Sequence, residues 1–200
     1  MNPNDPAALA PNLAARPHEH ILRVRNFTHL TQAELLLILE RRNNPDVRHW
    51  MVHTEPITVE EHLSYCAALA HRPEVLALFA EYYGHPCCVD PYRAADCSWH
   101  HIVDSGSYAF APAPCSTAVA IKLILLKVLS TYPVQSYQVK IKNDNEMALF
   151  VNQYYFGFVV TGQDDAYTYL KAPLDKTPAD YEAQMQAILA RNRIHLELQF

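Results

Sequence analysis

The sequence predicts a single mixed α/β domain, and three features lead to this prediction. Segments with the two-residue alternation of a strand and segments with the 3.6-residue spacing of a helix follow one another along the chain. Between Ser105 and Phe158 the pattern is strand, bend, apolar helix, strand and helix, which is the order of a parallel βαβ crossover. A chain of 200 residues suffices for one domain with a substantial core, and it contains no internal repeat.

The first predicted element is a strand, and two helices follow it. Apolar and polar residues alternate over His20–Leu30, which is typical of a strand. Thr31 and Glu34 have the spacing of a capping box, and so do Thr58 and Glu61, so we expect each pair to open a helix. Both helices end near a proline, which disfavours a helical residue before it. A short helical turn over residues 46–51 lies between them.

The remaining predicted elements complete the order β, α, α, β, β, β, α, β, α, β, β, α. Strands are predicted at Val75–Tyr83, Pro86–Arg93, Ser98–Phe110, Tyr137–Lys142, Phe158–Val160 and Ala166–Leu170, and helices at Ala118–Leu129, Glu146–Tyr155 and from Pro178 onward. Thr177 caps the last helix. We therefore predict a flexible arm over residues 1–19, a folded domain over 20–172 and a helical extension over 173–200.

The composition argues against several classes of protein. The net charge of −5 and the pI of about 6.1 disfavour a nucleic-acid-binding surface. With only four glycines, the chain has no glycine-rich phosphate loop. No segment reaches the roughly 18 uninterrupted apolar residues of a membrane span, and the N-terminus is unlike a secretory signal. Five cysteines, an odd number, favour reduced thiols, so we predict a cytoplasmic protein.

One run of the sequence resembles a known family. The run FTHL-TQAELLLILERRNNPDVRHWM, followed by EEHL, is similar to the N-acetyltransferases of pseudaminic-acid biosynthesis, in the Gcn5-related N-acetyltransferase (GNAT) superfamily. The resemblance spans roughly residues 21–171 and is most specific over Phe27–Met51. The residues that carry it are Phe27, Thr28, Leu30, Glu34, Leu36, Leu37, Leu39, Glu40, Arg42, Asn43, Pro45, Trp50, Met51, His62 and Leu63.

This resemblance implies a fold and an activity. The fold would be that of GNAT enzymes, and acetyl-CoA would be the co-substrate. The acceptor would be a small molecule, the 4-amino group of a UDP-linked 4-amino-4,6-dideoxy sugar. A homodimer is a further expectation that the resemblance raises.

The resemblance also implies which residues bind acetyl-CoA. By position, the pantetheine arm would pair with the strand edge 108–111, where backbone groups of Phe110 and Ala111 would orient the acetyl carbonyl. The pyrophosphate would lie at the start of the following helix, where unpaired N–H groups and the helix dipole suit an anion. The residues of that loop are Cys115, Ser116, Thr117, Ala118 and Val119, and Asn145 opens the later Asn-x-x-Ala helix.

The chain departs from the family pattern at three chemical positions. The loop glycines are replaced by small residues, with no Arg or Lys among them. Lys140 stands where family members often have a Glu base, and Asn152 stands where they have the Tyr that protonates the thiolate. Tyr154 or Tyr155 can take that role if the helix carries one extra residue. A shift of one residue turns a helical side chain by about 100°, so the replacement is not automatic.

His100 and His101 are the candidate bases, since a histidine near its ordinary pKa suits a base at neutral pH. Neighbouring strand residues point to opposite faces, so only one of them can face the cleft, and a solvent-facing histidine is the alternative. No metal site is predicted. The set His85, Cys87, Cys88, Cys97, His100 and His101 lacks the usual Cys-x-x-Cys spacing, and these thiols are better explained as small buried hydrophobes.

The candidate acceptor site is the run that carries the resemblance. Arg42 and Asn43, followed by Trp50 and Met51, combine a guanidinium that can hold a phosphate with an aromatic ring that can stack on a base or sugar. The alternative explanation is a helix C-terminal charge and a core Trp. Two functions therefore stay open: an N-acetyltransferase, and a degenerate member of the fold that serves as a non-catalytic binding or assembly module.

Overall fold

A computed structural model describes residues 20–110 and 117–200 of the protein, in which one mixed sheet organises the chain. The strands are β1 (His20–Asn26), β2 (Val75–Tyr82), β3 (His85–Ala94), β4 (His101–Ser105), β5 (Tyr108–Ala109), β6 (Ser136–Lys142), β7 (Val159–Gln163), β8 (Tyr167–Lys171) and β9 (Ile194–Gln199). The helices are α1 (Gln32–Asn43), α2 (Pro45–Arg48), α3 (Val59–Ala68), α4 (Thr117–Thr131), α5 (Glu146–Phe150) and α6 (Pro178–Asn192).

The strand order is β7-β8-β6-β4-β3-β2-β1-β9, with β5 also paired to β3. The neighbours β4 and β6 are parallel, and so are β1 and β9, whereas the other pairs are antiparallel. The predicted parallel crossover therefore joins β4 and β6 through α4. This arrangement confirms the predicted mixed α/β fold.

Strand β2 is buried on both faces and divides the core in two. Alternate residues of a strand point to opposite faces, and its apolar run VLALFA accordingly contributes to two clusters. Leu76 and Leu78 pack with residues of α4 and α6, whereas Ala77 and Phe79 pack with residues of α1 and α3. A strand that is covered on both faces has a continuous apolar run in place of alternation, and β2 has such a run.

Side-chain caps position the helices as the sequence predicts. Thr31 with Glu34 and Thr58 with Glu61 form complete capping boxes at α1 and α3. Thr177 caps α6, where Asp180 supplies the reciprocal carboxylate. Each cap satisfies backbone N–H groups that the first helical turn leaves unpaired.

Helix α4 is apolar around most of its surface because it packs against more than one element. Its buried residues are Ala120, Leu123, Ile124, Leu125, Leu126, Val128 and Leu129. It packs against β3 on one side and α6 on the other. Among the described helices, none combines the length and apolar character that a membrane crossing needs.

The predicted strand Ser98–Phe110 is shorter and interrupted. Tyr92 lies opposite Ser105 and Val89 lies opposite Tyr108, so Pro91 lies opposite Gly106 between them. Proline has no N–H to donate, and the ladder breaks there into β4 and β5. The sequence contains this signal, because Pro91 lies in the middle of β3.

Strand β9 is an element that the sequence reasoning missed. Residues 173–200 were predicted as a helix alone, but Arg193 adopts a left-handed conformation with φ of 53° and turns the chain from α6 into β9. Strand β9 pairs in parallel with β1, from His20 beside Ile194 onward. The alternation IHLELQ was the available signal. The arm predicted over residues 1–19 lies outside the described residues.

Leu22 tests the packing of β1 between β2 and β9. Leu22 is completely buried, whereas its neighbour Ile21 is 37% exposed on the other face. We expect Leu22→Ala to lower the free energy of unfolding by about 2–5 kcal/mol, because it removes core contacts and leaves a cavity. Ile21→Ala is the matched control and should cost much less. Urea unfolding measures both, and equal losses would contradict the burial described here.

Candidate functional site

A cavity of about 620 Å³ opens where two parallel strands separate. Strands β4 and β6 pair at only two positions, His101 beside Ser136 and Ile102 beside Tyr137. Beyond these pairs the cavity is lined by 105–109 on one side and by 139–142 on the other. The start of α4 closes a third side. The site is therefore a wedge between diverging strands, at the carboxyl end of β4.

Aromatic side chains fill the narrow end of this wedge. Tyr137 lies with its ring centroid 5.9 Å from that of Tyr92 and 5.2 Å from that of Phe158, and all three are buried. The hydroxyls of Tyr137 and Ser105 are 2.8 Å apart, which links β6 to β4 across the gap. The rings therefore pack together at the point where the pairing of β4 with β6 ends.

The edge of β5 that faces the wedge carries backbone hydrogen-bonding groups. Phe110 donates its N–H to the Cys87 carbonyl of β3 at 3.0 Å. Because successive strand residues direct their backbone groups to opposite edges, Ala109 and Ser107 direct theirs away from β3. The Ala109 carbonyl accordingly accepts a 2.7 Å hydrogen bond from Arg41 Nε on α1.

The N-terminus of α4 meets the wedge. Thr117 and Ala118 line the cavity, and their position at the start of a 15-residue helix brings N–H donors and the positive end of the helix dipole to it. Val119, the next residue of the predicted loop, packs against the core instead. Ala111, Cys115 and Ser116 lie outside the described residues.

The charge of the cavity differs in sign from that of the chain. Among the described residues that line it, the charged ones are four cations, Arg42, Arg93, Lys140 and Lys142, and none is a carboxylate. The whole chain has a net charge of −5. The cavity therefore favours an anionic ligand over a cationic one.

Arg42 holds a partly buried positive charge at the cavity. Its Nη2 donates to the His53 carbonyl at 2.7 Å, while its Nη1 is buried and meets no hydrogen-bond acceptor among residues 20–110 and 117–200. Burial lowers the pKa of its guanidinium, and the neighbouring Arg48 lowers it further. An arginine remains charged despite such a shift, so Arg42 can hold an anion.

The segment 49–57, which we call the cavity loop, carries Trp50, Met51, Val52 and His53 to the site. Asn43 anchors its far end through two hydrogen bonds with the backbone of Ile57, at 2.7 and 2.8 Å. Arg48 donates to the Thr54 carbonyl at 3.2 Å, and Lys142 donates to the His49 carbonyl at 2.5 Å. Of the predicted acceptor residues, Arg42, Trp50 and Met51 line the cavity, whereas Asn43 positions the loop.

The two predicted base histidines lie outside the cavity. His101 is at the start of β4, where its Nδ1 is 2.9 Å from the Ser136 hydroxyl. The carbonyl of His100 accepts hydrogen bonds from the backbone of Gln135 and Ser136. Ser105 at the cavity lies four positions along the strand from His101, a distance of about 13 Å. The geometry therefore gives no support to a catalytic role for either histidine at this site.

The helix after β6 has the extra residue that the sequence reasoning raised. It continues from α5 into a π-helical turn at Val151–Tyr155, in which Phe156 donates its N–H to Val151 at 3.0 Å. Tyr154 nevertheless points outward and is 78% exposed. Asn152 lines the cavity in its place, and the Asn145 side chain accepts from the Ala148 N–H at 3.1 Å as the helix cap.

The cysteines and histidines of the central hairpin do not converge. Cys87 and Cys88 are buried in β3, while Cys97 is exposed. Over the described part of the chain, no three His, Cys, Asp or Glu side chains are placed to hold a metal ion.

Asp90 is a buried carboxyl that the sequence reasoning did not single out. It lies on β3 opposite Ser107, whose hydroxyl donates to its Oδ1, and the Tyr92 hydroxyl donates to its Oδ2 at 2.6 Å. It is 1% exposed. Burial raises the pKa of Asp90 to about 6, although both hydroxyl donors act to lower it. The only sequence signal was an Asp inside an otherwise apolar strand.

Comparison with known proteins identifies the fold. No family model matches the chain, and no curated protein matches its sequence. Among solved structures, it is similar to the N-acetyltransferase PseH of Campylobacter jejuni in complex with acetyl-CoA, at 17% identity and a TM-score of 0.59, over 75% of this chain and 96% of that one.

Two other solved structures are similar over most of the chain. One is a spermidine N-acetyltransferase from Vibrio cholerae in complex with CoA and spermine, at 13% identity and a TM-score of 0.63, over 80% of this chain and 98% of that one. The other is FdhC, described as a nucleotide-linked sugar GNAT, at 11% identity and a TM-score of 0.62, over 86% and 92%. The chain has the GNAT fold, and the predicted resemblance is confirmed at that level.

The buried Asp90 predicts how stability depends on pH. Its pKa is about 6 in the folded protein against an ordinary 3.8, so the folded state keeps the proton longer than the unfolded state. The contribution is therefore fully present below about pH 4 and is lost as the pH rises to about 6, on the order of 3 kcal/mol. We expect Asp90→Asn to remove this dependence in urea unfolding between pH 4 and 7.

Asp96 provides a matched control for that measurement. It is an exposed carboxylate that also accepts a serine hydroxyl, from Ser98 at 2.5 Å, and these hydrogen bonds lower its pKa. Its contribution to stability is lost only below its ordinary pKa of 3.8, so Asp96→Asn should leave the profile between pH 4 and 7 nearly unaltered. A wild-type pH profile that Asp90→Asn leaves unaltered would contradict the protonation assigned to Asp90.

Proposed function

We propose that this chain transfers an acetyl group from acetyl-CoA to the amine of a small acceptor. One observation carries the proposal: β4 and β6 separate after two paired residues and open a cavity beside the N-terminus of α4. Solved structures of the same fold are complexes with acetyl-CoA.

The residues of the wedge fit the two ends of acetyl-CoA. The edge formed by Ser107 and by Ala109 of β5 offers backbone N–H groups for an extended arm to pair with, as a strand would. Thr117 and Ala118 at the start of α4 are small enough for an anion to approach the helix N–H groups, which suits the pyrophosphate. The thioester would then lie in the wedge between the two strands.

The cations of the cavity favour an anionic acceptor. A nucleotide-linked amino sugar carries a diphosphate that Arg42 and Lys140 can hold, and the Trp50 ring and Met51 offer an apolar face for the base or sugar. A polycationic acceptor such as spermidine would meet these same cations without a carboxylate among the described lining residues. We therefore propose a nucleotide-linked amino sugar rather than a polyamine.

The chemistry needs an aligned amine, a partner for the developing oxyanion and a proton acceptor. The backbone N–H groups of Ala109 and Ser107 are the donors that the wedge offers to the thioester carbonyl. An acceptor bound against these N–H groups, beneath the cavity loop, would have its amine beside the thioester. Most water would be excluded from such a site.

A non-catalytic binding module is the second candidate function. Two observations favour it: Asn152 and Lys140 line the cavity at positions where GNAT enzymes often have a Tyr acid and a Glu base. Such a module would bind acetyl-CoA or the acceptor without releasing a thiol.

Calorimetric titration with acetyl-CoA and a thiol-release assay together test the proposal. We expect micromolar binding of acetyl-CoA and release of CoA in the presence of a UDP-linked 4-amino-4,6-dideoxy sugar. Binding without release would favour the non-catalytic module. An absence of binding at millimolar acetyl-CoA would contradict the acetyltransferase function.

Arg42→Met tests the acceptor class. Arg42 supplies a charge-assisted hydrogen bond worth about 1.5–3 kcal/mol, so we expect its loss to weaken binding of UDP by about tenfold to a hundredfold. Arg42→Lys keeps the charge and should retain part of the affinity. Titration calorimetry with UDP measures both.

Arg23→Met is the control for this comparison. Arg23 pairs with Glu197 on the exposed surface at 2.7 Å and lies outside the cavity lining. Its loss should leave UDP binding unchanged. Equal effects of the two substitutions, or tighter binding of spermidine than of UDP, would contradict an anionic acceptor.

A further inference from the structure

Asp90 is a carboxyl that the stability of the fold does not require. Burying an ionisable group without a countercharge is unfavourable, and Asp90 is 1% exposed in the middle of β3. Among residues 20–110 and 117–200, its hydrogen bonds come from the hydroxyls of Ser107 and Tyr92 and not from a cation. An apolar residue would pack there at lower cost, so the carboxyl calls for another explanation.

The fold places this carboxyl directly behind the edge at Ser107 and Ala109, with which we propose that the arm of acetyl-CoA pairs. Ser107 lies opposite Asp90, in the interruption between β4 and β5 that Pro91 produces. Ser107 is exposed at the cavity, whereas Asp90 lies behind it and lines no part of the cavity. The Ser107 hydroxyl therefore stands between the cavity and the buried carboxyl.

No described charged side chain shifts the pKa of this carboxyl. On β2, the residue opposite Asp90 is the apolar Leu78. The other titratable groups that bear on the cluster are the hydroxyls of Tyr92 and Tyr137 and the thiol of Cys88. Helix α4, which packs on β3, contributes apolar residues to this part of the core. Burial is therefore the cause that raises the pKa of Asp90 to about 6, against the two hydroxyl donors that lower it.

We propose that Ser107 and Asp90 form a proton relay for acetyl transfer, with Ser107 as the catalytic hydroxyl and Asp90 as the positioning residue behind it. The inference rests on the proposed N-acetyltransferase function and deepens it. It supplies the proton acceptor that His100 and His101 are too distant to provide.

The relay conserves protons through the reaction. The amine nitrogen attacks the thioester carbon and its N–H proton passes to Ser107 Oγ, while the Ser107 proton passes to Asp90 Oδ1. The C–S bond then breaks with its electron pair on sulfur. The proton on Asp90 returns through Ser107 to the thiolate, so one relay serves both the amine and the leaving group.

The route through Ser107 is the one that the geometry favours. Tyr92, the second donor to Asp90, is itself 1% exposed. Asn152, which lines the cavity at the position of the usual Tyr acid, carries an amide that cannot supply a proton to the thiolate. A relay from the opposite strand can perform that step without it.

The pH dependence of kcat/KM tests the relay with the full-length protein. The assay follows CoA release with a UDP-linked 4-amino-4,6-dideoxy sugar as the probe acceptor. We expect an acidic limb with an apparent pKa near that of Asp90, about 6. Ser107→Ala should lower kcat by about a hundredfold to ten-thousandfold with little change in KM for acetyl-CoA, and Ser107→Thr should restore much of it.

Tyr92→Phe tests whether Asp90 takes part in the reaction, because a purely structural role of Asp90 would not shift the acidic limb of the pH profile. It removes a hydrogen bond that lowers the pKa of Asp90, so the acidic limb should shift to higher pH. Asp90→Asn should abolish that limb and lower kcat as Ser107→Ala does. Asp96→Asn, at an exposed Asp–Ser pair outside the cavity, should leave the profile unchanged.

The outcomes separate the relay from the proposed function. Turnover by Asp90→Asn with the wild-type acidic limb, or equal activity of Ser107→Ala and wild type, would overturn the relay while the acetyltransferase function stands. A wild-type protein that binds acetyl-CoA and releases no CoA with the probe would overturn both. Loss of acetyl-CoA binding in Ser107→Ala and in Ser107→Thr alike would assign Ser107 to binding and overturn the relay.

Discussion

The separation of β4 from β6 is the constraint on which the rest of the site depends. The two strands pair for two residues, and the rings of Tyr137, Tyr92 and Phe158 pack together where that pairing ends. Aromatic rings in this position supply apolar burial that compensates for the backbone pairing lost beyond it. Because the strands stay apart, the edge of β5 and the start of α4 face one cavity, and donor and acceptor can meet there.

A second constraint is electrostatic. A chain of net charge −5 concentrates four cations at one cavity, and some of them also hold the cavity loop by donating to its backbone carbonyls. Charges fixed in this way lose little side-chain freedom when a ligand arrives, which favours binding of an anion. The buried carboxyl of Asp90 lies behind Ser107 and lines no part of the cavity, so it opposes this attraction least while it is protonated.

Much of the fold could be predicted from periodicity and capping residues, because strand alternation, capping boxes and the βαβ order are local signals. Strand β9 was missed although IHLELQ alternates, since the preceding helix was extended through the left-handed residue Arg193. The site was harder to predict. Arg42, Trp50 and Met51 line the cavity, and their role there stays a prediction. The position of His100 and His101 depends on which end of β4 opens, and that of Asp90 depends on pairing across strands. Such distant relations leave little trace in local sequence.

Amide hydrogen exchange with and without acetyl-CoA tests most directly whether the wedge holds the acetyl donor. The account predicts slower exchange in peptides that cover 105–109 and the first turn of α4, because those N–H groups would pair with the pantetheine arm and the pyrophosphate. Exchange in β9, at the far edge of the sheet, should be unaffected. Acetyl-CoA that binds and protects amides elsewhere, while leaving 105–109 unchanged, would contradict the account.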